Sequence, residues 1–345
     1  MPTTTNLTTQ TIPVVPLTEN KSLRLHGQAK RMIATNNLSN EQWLKARQQG
    51  IGASDAATAV GLNPYKSQLE LWMEKTGRII PEQPSETEDS PLLWGTVLEP
   101  IVAEHYAKRT GRKVRRVNAI LQHAEHPWML ANLDREIVGD DEVQVLECKT
   151  AGIFGSKLWR NGVPEYVQLQ VQHQLAVTGQ KAADVAVLLG GQSLQIYRIE
   201  RDDDLIERLI KLEQAFWNSV LNDTPPPADA SASSETALRI LYPTDNGVVL
   251  DLSHDESANQ SFEAMLEIRE QLDKFKKLDA ELKHQLQQIM GDASIARFNN
   301  GQTSWKRSSD TTAFDSKRFK TEHPELHQSY LITRPGSRRF LVQLN

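Results

Sequence analysis

Apolar positions change their period along this chain, and the changes mark its elements. The Thr- and Asn-rich start shows little periodicity through residue 37 and reads as an irregular arm, taken as residues 1–38. Ser39 followed by Glu41 and Gln42 then signals a helix start, with Trp43, Leu44 and Ala46 opening its apolar face. Gly50-Ile51-Gly52 predicts a tight turn, Ser54 the cap of a second helix running to Val60, and Leu69 to Lys75 a further helix. Residues 81–91 form an acidic loop containing Pro and Ser, and Pro91 to Thr110 a long helix.

Beyond that helix the period shortens to that of strands near 114–122, 129–138 and 143–149. A helix follows from Pro164 to Thr178, then strands from Ala182 to Leu189 and Leu194 to Ile199, then an amphipathic helix from Asp203 to Leu221. Helices flanking a mixed sheet predict an α/β core over residues 39–223. Residues 224–235, opening on Thr224-Pro225-Pro226-Pro227, read as a Pro/Ala/Ser linker. Residues 236–345 make an accessory region: a strand pair within Leu238 to Leu252, a long charged helix from Ser261 to Met290, and a basic hairpin turning at Asn299-Asn300-Gly301. Phe262, Met265, Leu266, Ile268, Leu272, Phe275, Leu278, Leu282, Leu286 and Ile289 form a nearly heptad stripe on that helix, which suits packing onto the core or C-terminal strands, or a coiled coil between subunits.

Composition narrows the class. The chain has 345 residues, enough for one large and one smaller domain. No run approaches the ~18 apolar residues of a membrane span, and the N-terminus lacks a signal-peptide pattern, so a cytoplasmic protein with no membrane partner is expected. The single Cys148 supplies neither a disulfide nor the thiolates of an iron–sulfur cluster. No nucleotide-binding Gly-rich motif occurs, so ATP is not expected to be needed. Net charge is -5, and positive charge is local: Lys108, Arg109, Arg112, Lys113, Arg115 and Arg116 cluster after the long helix, and Arg338 and Arg339 precede Phe340. Both clusters are candidates for DNA phosphates, with a solvated helix end and an ordinary edge strand as the plainer readings.

The chemistry concentrates at Leu146-Glu147-Cys148-Lys149-Thr150. In an extended strand Glu147 and Lys149 share a face while Cys148 points away, and Asp134 on the preceding strand can join them. Two carboxylates on one face repel, a strain that a hard divalent cation relieves; Mg²⁺ fits best, with Mn²⁺ as substitute. Lys149 beside such an ion could orient or help deprotonate an attacking water and stabilise charge on a scissile phosphate, which predicts a metal-dependent nuclease. Asp followed by Glu-x-Lys is a weak pattern alone. Its company is more specific: Arg47 with Gly52-Ala53-Ser54-Asp55, Trp94-Gly95-Thr96-Val97-Leu98-Glu99-Pro100, then Gln170-Val171-Gln172-His173-Gln174.

In that order these motifs resemble the YqaJ-like viral recombinase family, phage relatives of lambda exonuclease in the PD-(D/E)XK superfamily. Leu133 stands where the Pro of the superfamily name would be. The resemblance covers about residues 40–222 and implies a restriction-endonuclease-like α/β core, here with a C-terminal long helix and small β extension. The ligands expected on this reading are Asp134, Glu147 and the backbone carbonyl of Cys148.

Other residues keep two readings each. Glu99 is a further acid at the metal site by resemblance, or a carboxylate beside Pro100 complementing a helix dipole. Gln170 is the family-matched amide on a polar helix stripe; His173 reads as a satisfied helix-face histidine. The donors of Arg47 and Ser54 could converge on a phosphate, the terminal 5′-phosphate if the resemblance holds, whereas Ser54 alone suits an N-cap. Asn132 aligns with a hydroxyl residue of the phosphate pocket in lambda exonuclease.

Three functions follow. The first is an exonuclease resecting linear duplex DNA 5′ to 3′ and handing the exposed strand to an annealing protein, with a trimeric ring expected by analogy. The second is a restriction-like or structure-specific endonuclease. The third is a noncatalytic DNA-binding protein on a nuclease fold, which an intact Asp134, Glu147 and Lys149 disfavour.

Overall fold

The computed structural model describes residues 28–81 and 89–343. Residues 1–27, most of the expected arm, and 82–88, most of the acidic loop, lie outside the described residues. The chain divides into two compact units, Met1–Tyr242 and Pro243–Asn345.

The first unit opens with β1 (Lys30–Ala34), where the irregular arm was expected, paired antiparallel to β4. Then come α1 (Asn40–Arg47), β2 (Ile51–Gly52), a 3₁₀ turn Ala53–Asp55, α2 (Ala56–Ala59), α3 (Gln68–Lys75) and α4 (Pro91–Thr110). Ser39 and Gln42 close a capping box on α1, which satisfies two of the amides a helix start leaves unpaired. Gly111, with φ 72°, ends α4 in the left-handed conformation that only glycine adopts without strain.

Strands and helices then follow as β3 (Lys113–Arg116), β4 (Ala119–Gln122), β5 (Met129–Ala131), β6 (Arg135–Val138), β7 (Val145–Ala151), α5 (Glu165–Thr178), β8 (Ala182–Leu189), β9 (Ser193–Glu200) and α6 (Asp203–Leu221). They build two sheets, ordered β1-β4-β5-β2 and β3-β6-β7-β8-β9. The two long strands expected over 114–122 and 129–138 are each broken in two, and each pair of halves joins different sheets. At the second break the chain bends through Asn132-Leu133-Asp134. At that break β5 is buried throughout and β6 at alternate positions, and an apolar pattern alone does not show where one ends and the other begins.

The five-stranded sheet is the frame. β7 and β8 pair parallel, with a crossover through α5, and the apolar run Ala182-Ala183-Asp184-Val185-Ala186-Val187 suits a strand covered on both faces. One face packs Leu146, Cys148 and Ala186 against Val102, Ala103 and Tyr106 of α4. The other packs Val145, Val185 and Val187 against Val167, Val171 and Leu175 of α5, all three of which are fully buried. Each such large side chain contributes about 1.5–3 kcal/mol by leaving water. On α4 the sequence suggests Val97, Leu98, Ile101 and Val102 face inward, but Val97 and Ile101 are exposed; the buried line is Val102, Ala103 and Tyr106.

Residues 232–241, expected at the end of a linker and the start of a strand pair, form α7 (Ala232–Leu241). Ser231 caps it, Ala237 is buried, and Ser233 Oγ accepts the Ser67 amide at 2.8 Å. No strand occurs over residues 238–252. The helix takes residues 238–241 of the expected pair, and 242–252 form neither helix nor strand.

The second unit carries α8 (Glu256–Met290), the hairpin β10 (Ile295–Phe298) and β11 (Gly301–Ser304), α9 (Ser316–Glu322) and α10 (Pro324–Ser329). The α8 stripe stays largely in solvent: Ile268, Phe275, Leu282 and Ile289 are all exposed. Among the described residues, no helix is long and apolar enough to cross a membrane.

A buried polar knot locks α4 to the sheet. Tyr106 Oη donates to Asp184 Oδ2 at 2.5 Å, and Arg198 Nε donates to Asp184 Oδ1 at 2.5 Å. Burial and the Asp184 bond together hold the Tyr106 phenol well above its ordinary value. Removing the carboxylate strands the buried Tyr106 hydroxyl and unpairs the partly exposed Arg198 guanidinium, so Asp184→Ala is expected to lower unfolding free energy by about 3 kcal/mol, and Tyr106→Phe by about 1 kcal/mol. Urea unfolding measures both. A loss below about 1 kcal/mol for Asp184→Ala would show that the knot does not hold the helix.

Candidate functional site

The bend at Asn132-Leu133-Asp134 creates the site. β6 pairs with β7 only at Arg135–Leu146 and Glu136–Val145, so beyond Leu146 β7 keeps β8 on one side and has no strand partner on the other. Asp134 supplies the missing acceptor: its Oδ2 takes the Cys148 amide at 2.8 Å. A side chain thus continues a sheet edge and is fixed beside Glu147.

Alternation along β7 puts Glu147 and Lys149 on the α5 side and Cys148 among the apolar residues under α4. Lys149 Nζ lies 2.7 Å from Glu147 Oε1 and donates to Gln170 Oε1 at 2.8 Å. Gln170 Nε2 donates to Glu147 Oε1 at 2.6 Å. One turn on, Gln174 Nε2 donates to Glu147 Oε2 at 2.7 Å, leaving the buried Gln174 Oε1 with no hydrogen bond. Each end of the Gln170 amide is committed, its oxygen to a cation and its nitrogen to an anion, so its orientation is set by charge.

Burial, then the neighbouring Glu147 carboxylate, hold the Asp134 carboxyl well above the ordinary carboxylate range, against Lys149 and the Cys148 amide. Burial alone would lower Lys149, but Glu147 and Asp134 outweigh it and hold the ammonium above its usual value. Lys149 is therefore a fixed cation here, suited to orienting and to stabilising negative charge more than to removing a proton. Burial also pushes the Cys148 thiol up, making it unreactive.

Glu99 lies in the middle of α4, so the helix-dipole reading fails. Its Oε1 accepts Arg135 Nη1 at 2.5 Å, and the same nitrogen donates to the Asp134 carbonyl at 2.6 Å. Arg135 thereby joins Glu99 to the Asp134 backbone, a role the sequence did not suggest. Asn132 lies in the bend, its Nδ2 3.5 Å from the Ala119 carbonyl and its own carbonyl 3.4 Å from Gln174 Nε2. His173 is a core residue, as expected: Nδ1 meets Glu213 Oε1 at 2.8 Å and Nε2 the Leu130 carbonyl at 3.0 Å.

A second cluster lines a cleft of about 510 Å³. Arg47 Nη2 donates to Ser54 Oγ at 2.8 Å and to Asp55 Oδ2 at 2.9 Å, and its guanidinium lies 4.9 Å from the Trp43 ring centre. Lys75 Nζ donates to the same Asp55 oxygen at 2.8 Å and to the Arg47 carbonyl at 2.9 Å. Ser54 sits inside the 3₁₀ turn and is not its N-cap, which is Gly52. A Cβ on Gly52 would come within 2.9 Å of Arg47 Nη2, so only glycine lets the guanidinium lie this close. Ser54 Oγ accepts from Arg47 and keeps its own proton for a ligand. Lys75 and Asp55 in this role escaped sequence reading, because a buried lysine on an apolar helix gives no periodic signal.

The basic run, which begins in the last turn of α4 with Lys108 and Arg109 and continues into β3, is divided. Arg112 is bound to Asp140 at 2.7 Å, Arg109 Nη1 donates to the Leu194 carbonyl at 2.6 Å, Lys108 pairs with Glu104 and Arg115 with Glu136. Arg112 thus serves the fold. Lys113 and Arg116 lie exposed on the edge strand β3, and Arg338 and Arg339 in exposed chain outside any helix or strand.

The donor set bears on a metal. Among the described residues no group of three or more His, Cys, Asp or Glu side chains forms a metal cage. Two carboxylates beside a backbone carbonyl are hard oxygen donors, and a divalent cation would offset both the burial and the Glu147 repulsion that raise Asp134. That set fits an ion that keeps waters and takes its other ligands from substrate, as Mg²⁺ does.

The sequence matches the model of the YqaJ-like viral recombinase domain over residues 42–181. The uncharacterized protein YqaJ of Bacillus subtilis (strain 168) is 38% identical over 306 residues, covering 87% of this chain and 93% of that protein. Among solved structures, an alkaline exonuclease (LHK-Exo) from Laribacter hongkongensis matches with a TM-score of 0.46 and 23% identity, over 54% of this chain and 94% of that one. A phage-related exonuclease from Haemophilus somnus 129PT matches at 0.37 and 12%, over 50% and 96%.

The two clusters predict opposite responses to acid. For Asp134, the folded value lies above the unfolded one, so its ionised form weakens the native state; that cost fades as pH falls through the folded value and is gone below the unfolded one. Asp134→Asn should therefore stabilise the metal-free protein at pH 8, with the gain vanishing near pH ~4. For Asp55, burial is overcome by Arg47 and Lys75, which hold its carboxyl far below the ordinary range. Its contribution is present above the unfolded value, about 3.9, and is lost as pH falls below it. Asp55→Asn should destabilise at pH 8 and less at pH 3. Thermal melts of both variants across pH check the signs.

Proposed function

This chain belongs to the YqaJ-like viral recombinase family, and from that premise we propose that it is a divalent-metal-dependent exonuclease that resects linear duplex DNA from its 5′ ends. The observation that carries this reading is the convergence of Asp134, Glu147, Lys149 and Gln170 on one point. No structural need explains gathering two carboxylates and a lysine at one half-buried point, whereas phosphodiester hydrolysis uses all three.

On this reading the side chains of Asp134 and Glu147 and the Cys148 carbonyl hold the ion. When bound, Mg²⁺, or Mn²⁺ in its place, polarises the scissile phosphate and lowers the pKa of water. Lys149 orients the attacking water and faces the charge that grows on the phosphate oxygens. Gln170 keeps Lys149 and Glu147 in register, and Glu99, through Arg135, braces the Asp134 backbone.

Polarity on this reading comes from the second cluster. Arg47 has further N–H donors, and Ser54 a hydroxyl proton, available to a terminal 5′-phosphate. An anchored 5′ end with cleavage beside it leaves a 3′ single strand, the substrate of an annealing protein in recombination. Lys113 and Arg116 would meet the duplex backbone.

The test uses linear duplex DNA with a 5′-phosphate or a 5′-hydroxyl, and a covalently closed circle, each with Mg²⁺. Nucleotides should be released from the phosphorylated ends, slowly from the hydroxyl ends and not from the circle. Lys149→Ala should lower the rate about 10²–10³-fold. Cutting of the circle would make the protein an endonuclease, and inertness with both Mg²⁺ and Mn²⁺ would overturn the catalytic reading.

A further inference from the structure

Two tyrosines stand between the carboxylate–lysine cluster and the Arg47 cleft, and neither cluster uses them. Tyr166 lies on α5 one turn before Gln170, on the same helix face. Tyr65 lines the cleft that Arg47 and Ser54 share. Their ring centres are 5.8 Å apart with planes at 86°, so the pair forms a right-angled aromatic corner joining one cluster to the other.

The corner is braced from below. Tyr65 N donates to Asn63 Oδ1 at 2.8 Å, and Asn63 Nδ2 donates to Thr58 Oγ1 at 2.9 Å, tying the turn to α2. On its other side Lys66 Nζ bonds Glu74 at 2.6 Å, and Ser67, which caps α3, is held by Ser233. Tyr166 packs against the core beside Val60 and Leu205. Yet Tyr65 itself remains 65% exposed. A turn bound at both ends that still leaves an aromatic ring in water adds little to the fold, and suits a flat apolar ligand.

A DNA end offers such a ligand at this place. If the terminal phosphate sits at Arg47 and Ser54 and a phosphodiester at Lys149, the group that spans the two is a nucleoside, with an apolar base face and a sugar. We propose that Tyr65, buttressed by Tyr166, is the platform on which the terminal nucleoside rests, so that the phosphodiester presented to Lys149 is the first one. Tyr65 is then a positioning residue: it fixes the length of DNA admitted between the two clusters, and with it the size of the product. Stacking tolerates any base, so the platform imposes length without sequence preference. This inference rests on the exonuclease reading above.

The probe is a 5′-phosphorylated duplex with 2-aminopurine as its terminal nucleotide and a remote dye, bound to full-length protein carrying Lys149→Ala so that it is not cut. Bound 2-aminopurine should be dim with Tyr65 and with Tyr65→Phe, and several-fold brighter with Tyr65→Ala, while dye anisotropy shows affinity changed by about tenfold or less. In the cleaving protein, Tyr65→Ala should turn a mononucleotide product into a mixture of mono- and dinucleotides and lower kcat more than it raises KM. Tyr65→Phe should restore both.

Unchanged emission and an unchanged product ladder in Tyr65→Ala, from a protein that still cuts linear DNA, would overturn the platform and leave the exonuclease reading standing. Failure of the wild-type protein to bind or cut any DNA would overturn both.

Discussion

Two carboxylates, Asp134 and Glu147, are held side by side in a buried site, and much of the first unit can be understood as accommodating them. Left alone, such a pair would expel one charge or the other. Here Lys149 supplies a cation, Gln170 and Gln174 supply donors to Glu147, and the Cys148 amide supplies one to Asp134. Each of these requires a particular backbone path. The bend before β6 frees the Cys148 amide from strand pairing, and α5 must lie with its amide stripe toward β7. The His173–Glu213 contact and the line Val167, Val171 and Leu175 bury the rest of that helix and so fix its rotation.

The two clusters solve their electrostatics in opposite ways. Around Asp55 positive charge predominates, with Arg47 and Lys75 sharing one carboxylate oxygen, so the acid is held ionised and the arrangement is rigid without any ligand. Around Asp134 negative charge predominates, and the arrangement is strained. Strain at one cluster and compensation at the other is the pattern expected when one holds fixed geometry and the other awaits a counter-charge.

The sequence made much of this visible, for physical reasons that differ from residue to residue. Alternation along Glu147-Cys148-Lys149 is a two-residue period that any strand enforces, so the facing of all three was legible. The bounds of α4, β8 and α6 coincide with the expected segments because Pro91 at the helix start, Gly111 after its end, a continuous buried run and a strong amphipathic period leave few alternatives. The break at residues 132–134 was hidden, since strand halves in two sheets share one apolar pattern. Gln174 was legible on the polar stripe it shares with Gln170, whereas Lys75 was hidden because it ends a helix rich in apolar residues and its partner Asp55 is 20 residues away along the chain. Residues 238–252 misled because two short, largely apolar runs, Leu238–Leu241 and Val248–Leu250, flank a turn sequence as they would in a hairpin, while the first run ends a helix whose Ser231 cap and buried Ala237 lie upstream of it.

The hydrogen bond from the Cys148 amide to Asp134 has a spectroscopic consequence. An amide that ends on a carboxylate shifts its nitrogen and proton resonances when that carboxylate gains a proton or a metal ion. Cysteine occurs once in this chain, so selective ¹⁵N-cysteine labelling gives a spectrum of a single cross-peak. That peak arises from the residue whose carbonyl faces the ion on the proposed reading and lies one hydrogen bond from Asp134, so it reads the charge state of the cluster with no substrate present and no residue altered.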